Sequence, residues 1–195
     1  LVLVRNAVEK HIGKLSYIVA GSFTRNTWMK DKKEFDVFIL FPENTKRLAL
    51  EKKGLELGKR IAKELKGDHK VSYAEHPYTR AKFRDFAVDI VPAYKVADPA
   101  MLKSSVDRTP FHNSYLERNF DPGLAKDVRL LKQFLKANGL YGSDAKTQGF
   151  SGYLCELLIL HYKSFKTFLK EASKWETGVF IDIEAHHALR PGLFK

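Results

Sequence analysis

The sequence predicts an α+β fold, with strands and helices in its first half and helices in its second. Three observations carry this. Apolar residues alternate at period two through Phe35, Val37, Ile39 and Phe41, and again through Phe86, Val88 and Ile90. Helical spacing precedes and separates those runs. After about Ala97 the alternation gives way to helix caps and long apolar helical stretches.

The elements follow in chain order. Val4, Val8 and Ile12 lie on one helical face, and Gly13 is a stop. Tyr17 to Ala20 reads as a short strand ending in the Gly21-Ser22 turn. Glu34 to Phe41 is a second strand, closed by Pro42. Arg47 to Lys66 is an amphipathic helix with Leu50, Leu57, Ile61 and Leu65 inward, and His69 to Ala74 is a third strand. Residues 81–94 read as a hairpin turning at Arg84-Asp85. Asp121 and Pro122 predict a capped helix start that Asn138-Gly139 closes. Residues 151–162 form a nearly all-apolar, buried helix, with Cys155 as a core residue. Ser164 caps another helix running to Trp175, and "GVFIDIE" (178–184) is strand-like. The closing "HHALRPGLFK" suggests no fold of its own, and His186 and His187 read as surface residues.

Length and composition bound the function. The chain has 195 residues, 44% of them hydrophobic, enough for one large or two small packed domains. No apolar run is long enough to cross a bilayer, and the N-terminus lacks the order of a signal peptide. Leu1 onward reads as the middle of a helix, which suggests that residues precede it. A single cysteine excludes an internal disulfide and fits a reducing, cytoplasmic setting. Net charge is +11, from 34 basic against 23 acidic residues. That excess favours a polyanionic partner through counterion release, or else it is the lysine-rich surface of a heat-adapted protein. No helix-turn-helix or zinc spacing points to a DNA-binding module.

Three carboxylates stand out. Glu34 and Asp36 lie two residues apart in a strand, so they share a face while Phe35 and Val37 point the other way. Like charges that close repel unless a cation lies between them, and hard oxygen ligands suit Mg²⁺ or Mn²⁺. An exposed, salt-bridged strand end is the plainer alternative. Asp89 sits in the otherwise apolar "FAVDIVP" strand, where a carboxylate needs a partner. That partner is either the same metal, if the two strands are neighbours, or an arginine such as Arg84 or Arg80. Gly21-Ser22, about a dozen residues before Glu34, offers free backbone N–H groups and a hydroxyl for a phosphate. Arg25 and Lys132 carry charges that could neutralise a phosphate, but taken alone ordinary surface charge is the favoured reading of both.

The blocks "GSFTRNTW" (21–28), "EFDVFILFP" (34–42), "YAEHPY" (73–78), "VDIVPAY" (88–94), "VDRTPFHNSYL" (106–116) and "GFSGYLCELL" (149–158) occur in that order. Together they resemble the archaeal-type, class I CCA-adding enzymes within the DNA polymerase beta-like nucleotidyltransferase superfamily. The resemblance implies a nucleotidyltransferase head with a small mixed β-sheet over residues 1–97 and a helical, nucleotide-binding neck over 98–175. Residues 176–195 would then begin a body domain. It implies that Glu34, Asp36 and Asp89 are catalytic and bind two Mg²⁺ ions. It places Ser22, Arg25, His112, Lys132 and Tyr141 on nucleotide contacts, with Thr109, Ser151 and Tyr153 lining the same pocket. The implied reaction is template-independent transfer of CMP and AMP from CTP and ATP to the tRNA 3′ end, with release of pyrophosphate. A sister enzyme such as a poly(A) polymerase, or a non-catalytic RNA-binding module of the same fold, are the alternatives. The sequence leaves the oligomeric state open, a homodimer included.

Overall fold

A computed structural model describes residues 1–186. The chain forms two compact units, Leu1–Pro122 and Gly123–Lys195. The first is built on a five-stranded sheet made of β1 (Ser16–Ala20), β2 (Glu34–Pro42), β3 (Asp68–Tyr73), β4 (Pro77–Phe83) and β5 (Phe86–Lys95), in spatial order β1-β2-β5-β4-β3. β2 and β5 are parallel, and every other pair is antiparallel. The parallel pair is central, which is why most residues of β2 and of β5 are buried on one face or the other. Helices α1 (Val2–Ile12) and α2 (Arg47–Glu64) supply Val4, Val8, Leu50 and Ile61 to the core, against Phe35, Val37, Ile39, Val88 and Ile90.

Most of these elements lie within a residue or two of their predicted bounds; β4 begins at Pro77, four residues before the expected start of the hairpin. Gly13 ends α1 at a φ of 60°. The β4–β5 hairpin turns at Arg84-Asp85, with Arg84 itself in the left-handed region. α2 sits unusually close to the sheet. A Cβ on Gly54 would lie 2.6 Å from the Pro92 ring, so bare glycine permits this approach. Helix α3 (Arg108–Asn119) is an element the sequence reading did not foresee. It packs on β1 and belongs to this first unit. Asp107, fully buried just before it, accepts hydrogen bonds from the backbone N–H groups of Tyr94, Lys103 and Ser104 and fastens this segment to β5.

The second unit is helical. α4 (Ala125–Ala137), α5 (Gly152–Tyr162) and α6 (Phe165–Ala172) pack on one another. The Asp121-Pro122 signal opens a single 3₁₀ turn, Pro122–Leu124, and α4 proper begins only after it. Gly139 closes α4 at a φ of 69°. Ser151 and Ser164 cap α5 and α6 by accepting from the N–H groups of Leu154 and Thr167. Asp127 on α4 accepts the N–H of Phe165, tying the start of α6 to α4. Tyr162, Phe168 and Trp175 form an aromatic cluster at the far end of α6. α6 ends at Ala172, a turn short of Trp175. The strand expected over residues 178–184 does not form: this segment is turn and irregular backbone with Val179 and Phe180 exposed, because among the described residues no strand pairs with it. Cys155 is buried, as expected. His186 is exposed near Asp182, while His187 and the rest of the closing segment lie outside the described residues.

Candidate active site

The central parallel pair assembles the three carboxylates. In the β2–β5 ladder Asp36 is the register partner of Asp89, and Glu34 that of Ala87. Partners in a ladder share a face, so Glu34, Asp36 and Asp89 all project from one side of the sheet. The other side of the same strands carries Phe35, Val37, Val88 and Ile90 into the core. Period-two alternation thus puts the apolar set inward and the acids outward in one stroke.

The acids are crowded and only partly compensated. Burial, then the neighbouring Asp89 and Glu34, push the Asp36 carboxyl up to about 7, against the pull of Lys32 and Arg80. Burial also raises Asp89, with Arg80 opposing. The Arg80 guanidinium hydrogen-bonds Glu34 and lies 3.6 Å from Asp89 Oδ1, and Lys32 Nζ lies 3.5 Å from Glu34. Of the two arginines that could partner Asp89, the structure selects Arg80. Arg84 instead lies at the hairpin turn, over the Phe83 ring. With Glu34 drawn toward Arg80, no three acidic, histidine or cysteine side chains among the described residues already surround one point closely enough to hold an ion. The donor set nevertheless suits a hard divalent cation: Asp89 Oδ1 is buried and accepts no hydrogen bond, and Asp36 is destabilised as an anion.

The Gly21-Ser22 turn lies against these acids. Gly21 has a φ of 96°, and a Cβ there would come within 3.1 Å of Asp36 Oδ2. Only glycine lets the backbone take this conformation beside the carboxylate. The turn is braced internally, by Thr24 Oγ1 donating to the Gly21 carbonyl at 2.9 Å and by Thr27 N donating to the Ser22 carbonyl at 2.9 Å. Arg25 Nη1 donates to Asn113 Oδ1 on α3 at 2.8 Å, and Asn113 Nδ2 in turn donates to Glu117. That bond joins the turn to the helix carrying Thr109 and His112, both half-buried. Burial and then Arg108 lower the His112 pKa, which keeps the imidazole neutral at pH 7.

In the second unit Lys132 on α4 is almost fully buried, with Nζ 3.9 Å from Oε1 of the equally buried Glu156 on α5. A Cβ on Gly152 would lie 3.2 Å from the Tyr141 hydroxyl and 3.7 Å from Lys132 Nζ, which gathers these groups into one cluster. Tyr141 is held there by a bridge to Phe150. Ser151 caps α5 through its side chain, and Tyr153 begins the same helix. Sequence reasoning missed Glu156 and Asn113. A signal for Glu156 was present: an acid within "LCELL" and a base within "LLKQF" are complementary single charges in otherwise apolar helices.

A five-stranded mixed sheet bearing paired strand carboxylates next to a Gly-Ser turn defines the class: a nucleotidyltransferase fold. The solved structure of E. coli MS115-1 CdnC with ATP shares it, with a TM-score of 0.55 at 18% identity over 86% of this chain and 61% of that one. Residues 2–112 match the nucleotidyltransferase domain model and residues 126–193 the model of the second domain of tRNA nucleotidyltransferase. The chain belongs to the nucleotidyltransferase domain family. It is 49% identical over 176 residues to the CCA-adding enzyme of Methanoregula boonei, and 47% identical over 169 residues to that of Archaeoglobus fulgidus. These alignments cover 90% and 87% of this chain, which spans 38% of the length of each relative. Among the described residues no helix is long and apolar enough to cross a membrane.

Proposed function

We propose that this chain carries the catalytic centre of a CCA-adding tRNA nucleotidyltransferase, working in the cytoplasm and transferring CMP and AMP from CTP and ATP to the tRNA 3′ end. The observation that carries the proposal is the set of three carboxylates on one face of β2 and β5, next to a glycine turn that leaves room for nothing larger. Similarity to CCA-adding enzymes over nearly the whole chain supports the choice of acceptor.

Glu34, Asp36 and Asp89 would hold two Mg²⁺ ions, which would supply acidification of the attacking 3′-hydroxyl and charge neutralisation on the triphosphate. The chain's own residues position the reactants. Ser22 and the Gly21 backbone receive a phosphate, and Arg25, braced by Asn113, presents a planar fork to the triphosphate. Neutral His112 and Thr109 can hydrogen-bond the nucleoside. Lys132 and Tyr141, with Ser151 and Tyr153, are proposed as further nucleotide contacts from the second unit. No enzyme nucleophile is required, because the reaction is a single displacement at the α-phosphorus. The functional division into head (1–97), neck (98–175) and the start of a body (176–195) is proposed with it.

Incubation with labelled CTP, ATP, UTP or GTP and a tRNA lacking its 3′ CCA tests the proposal. CMP followed by AMP on tRNA is expected. A run of AMP alone on any RNA would favour a poly(A) polymerase, and nucleotide-independent RNA binding with no incorporation would favour a non-catalytic module.

A further inference from the structure

On the carboxylate face, the register row that contains Asp36 and Asp89 continues outward through Arg80 on β4 to Lys70 on β3. The next row runs from Glu34 through Ala87 and Lys82 to Asp68. Of these two rows, Arg80 and Lys70, with Glu34, Ala87, Lys82 and Asp68, line a cleft of about 520 Å³ that begins at Glu34, beside the Asp36–Asp89 pair, and ends at the sheet edge. We propose that Arg80, Lys70 and Lys82 hold the backbone phosphates of the acceptor strand immediately 5′ of its reacting 3′-hydroxyl, an inference that rests on the nucleotidyl-transfer reading of the site.

The argument is one of placement and pairing. Strands lie about 4.8 Å apart, so Lys70 springs from a strand about 10 Å from that of Asp89. That is a span of about three nucleotides at the 3.4 Å spacing of a stacked strand. The cleft also carries Asp31, Glu34, Asp68 and Asp85 against five basic side chains; Asp85 lies 3.6 Å from Lys33, Glu34 is engaged by Arg80 and Lys32, and Asp68 sits at the outer edge of its row on β3. Lys70 and Lys82 are exposed and ion-pair with nothing among the described residues, Lys82 making no ion pair even with its register partner Asp68. Arg80 already bridges Glu34 and Asp89, so a phosphate bound to it would lie directly beside the reacting end. Edge lysines can also serve only to discourage pairing of β3 with another chain. That role needs no order along a row leading from the carboxylates, whereas a phosphate track does.

The test compares the 195-residue chain, Lys70→Ala/Lys82→Ala, and a charge-matched control, Lys52→Ala/Lys53→Ala, on the exposed side of α2. A labelled single-stranded RNA of about 12 nucleotides is titrated from about 50 to 200 mM salt. Loss of two phosphate contacts should flatten the log K against log salt slope by about 1.4 and weaken binding tenfold or more at the lowest salt. ATP binding should not change, and the control should keep the wild-type slope. An unchanged slope in the Lys70/Lys82 variant, an equal loss in the control, or failure of the wild-type chain to bind the RNA overturns the proposal. If the wild type binds through the row but adds no nucleotide, the transfer reading fails and the row stands. If it adds nucleotide and the variant's KM for acceptor is unchanged, the row fails and the transfer reading stands.

Discussion

Replacing Asp36 by asparagine should stabilise the metal-free chain while abolishing the proposed nucleotidyl transfer. The folded carboxyl holds its proton up to about pH 7, against an ordinary value near 4 in the unfolded chain. Below pH ~4 the group is protonated in both states and favours neither. Between the two values the unfolded carboxyl ionises and the folded one resists, so stability falls as pH rises. Above pH 7 the loss is complete. Three units at 1.36 kcal/mol each set an upper bound of about 4 kcal/mol. The buried asparagine amide returns part of this, so a net gain of about 1–3 kcal/mol is expected, or roughly 2–10 °C in Tm. Thermal melts in EDTA at pH 8 and pH 5 measure it. The gain should appear at pH 8 and shrink by about 2–3 kcal/mol at pH 5, where wild-type Asp36 is protonated in the folded state. Mg²⁺ should raise the wild-type Tm and leave that of the variant unchanged. A variant less stable than wild type at pH 8, or a difference independent of pH, would refute the account of crowded, buried carboxylates.

Arg25→Ala should weaken ATP and CTP binding alike, by about 1.5–3 kcal/mol in nucleotide titrations, because the triphosphate is common to both. Lys132→Ala should do the same and also destabilise the chain by about 3 kcal/mol, since it takes the cation from beside buried Glu156. Adding Glu156→Gln should restore the melting temperature but not the affinity. Gly21→Ala should cost about 1–3 kcal/mol of stability through its positive φ and reduce metal affinity by crowding Asp36, both readable in melts with and without Mg²⁺.

The carboxylates were legible in the sequence because they fall on the outward positions of strands whose other residues are nearly all apolar, where an acid needs a partner. That Asp36 and Asp89 are ladder partners was not legible, since β2 and β5 are separated by two strands and a helix and their pairing is set by tertiary packing. α3 escaped notice because its face is mostly polar, with only Asn113 and Leu116 buried; its neighbours, not its periodicity, hold it. The strand expected near Phe180 failed for the opposite reason: β propensity specifies no strand where, among the described residues, no neighbouring strand offers it a ladder. Arg80 and Arg84 are equivalent as sequence, and only the hairpin register aims the first at Asp89 and the second at the turn.

Direct titration of Mn²⁺, standing in for Mg²⁺, followed by electron paramagnetic resonance, tests the claim that Glu34, Asp36 and Asp89 form a divalent metal centre. The wild-type chain should bind Mn²⁺ saturably and more tightly as pH rises through 7, where Asp36 ionises. Asp36→Asn should lose that binding while remaining folded. Equal Mn²⁺ affinity in the two proteins, or affinity that does not change with pH, would contradict it.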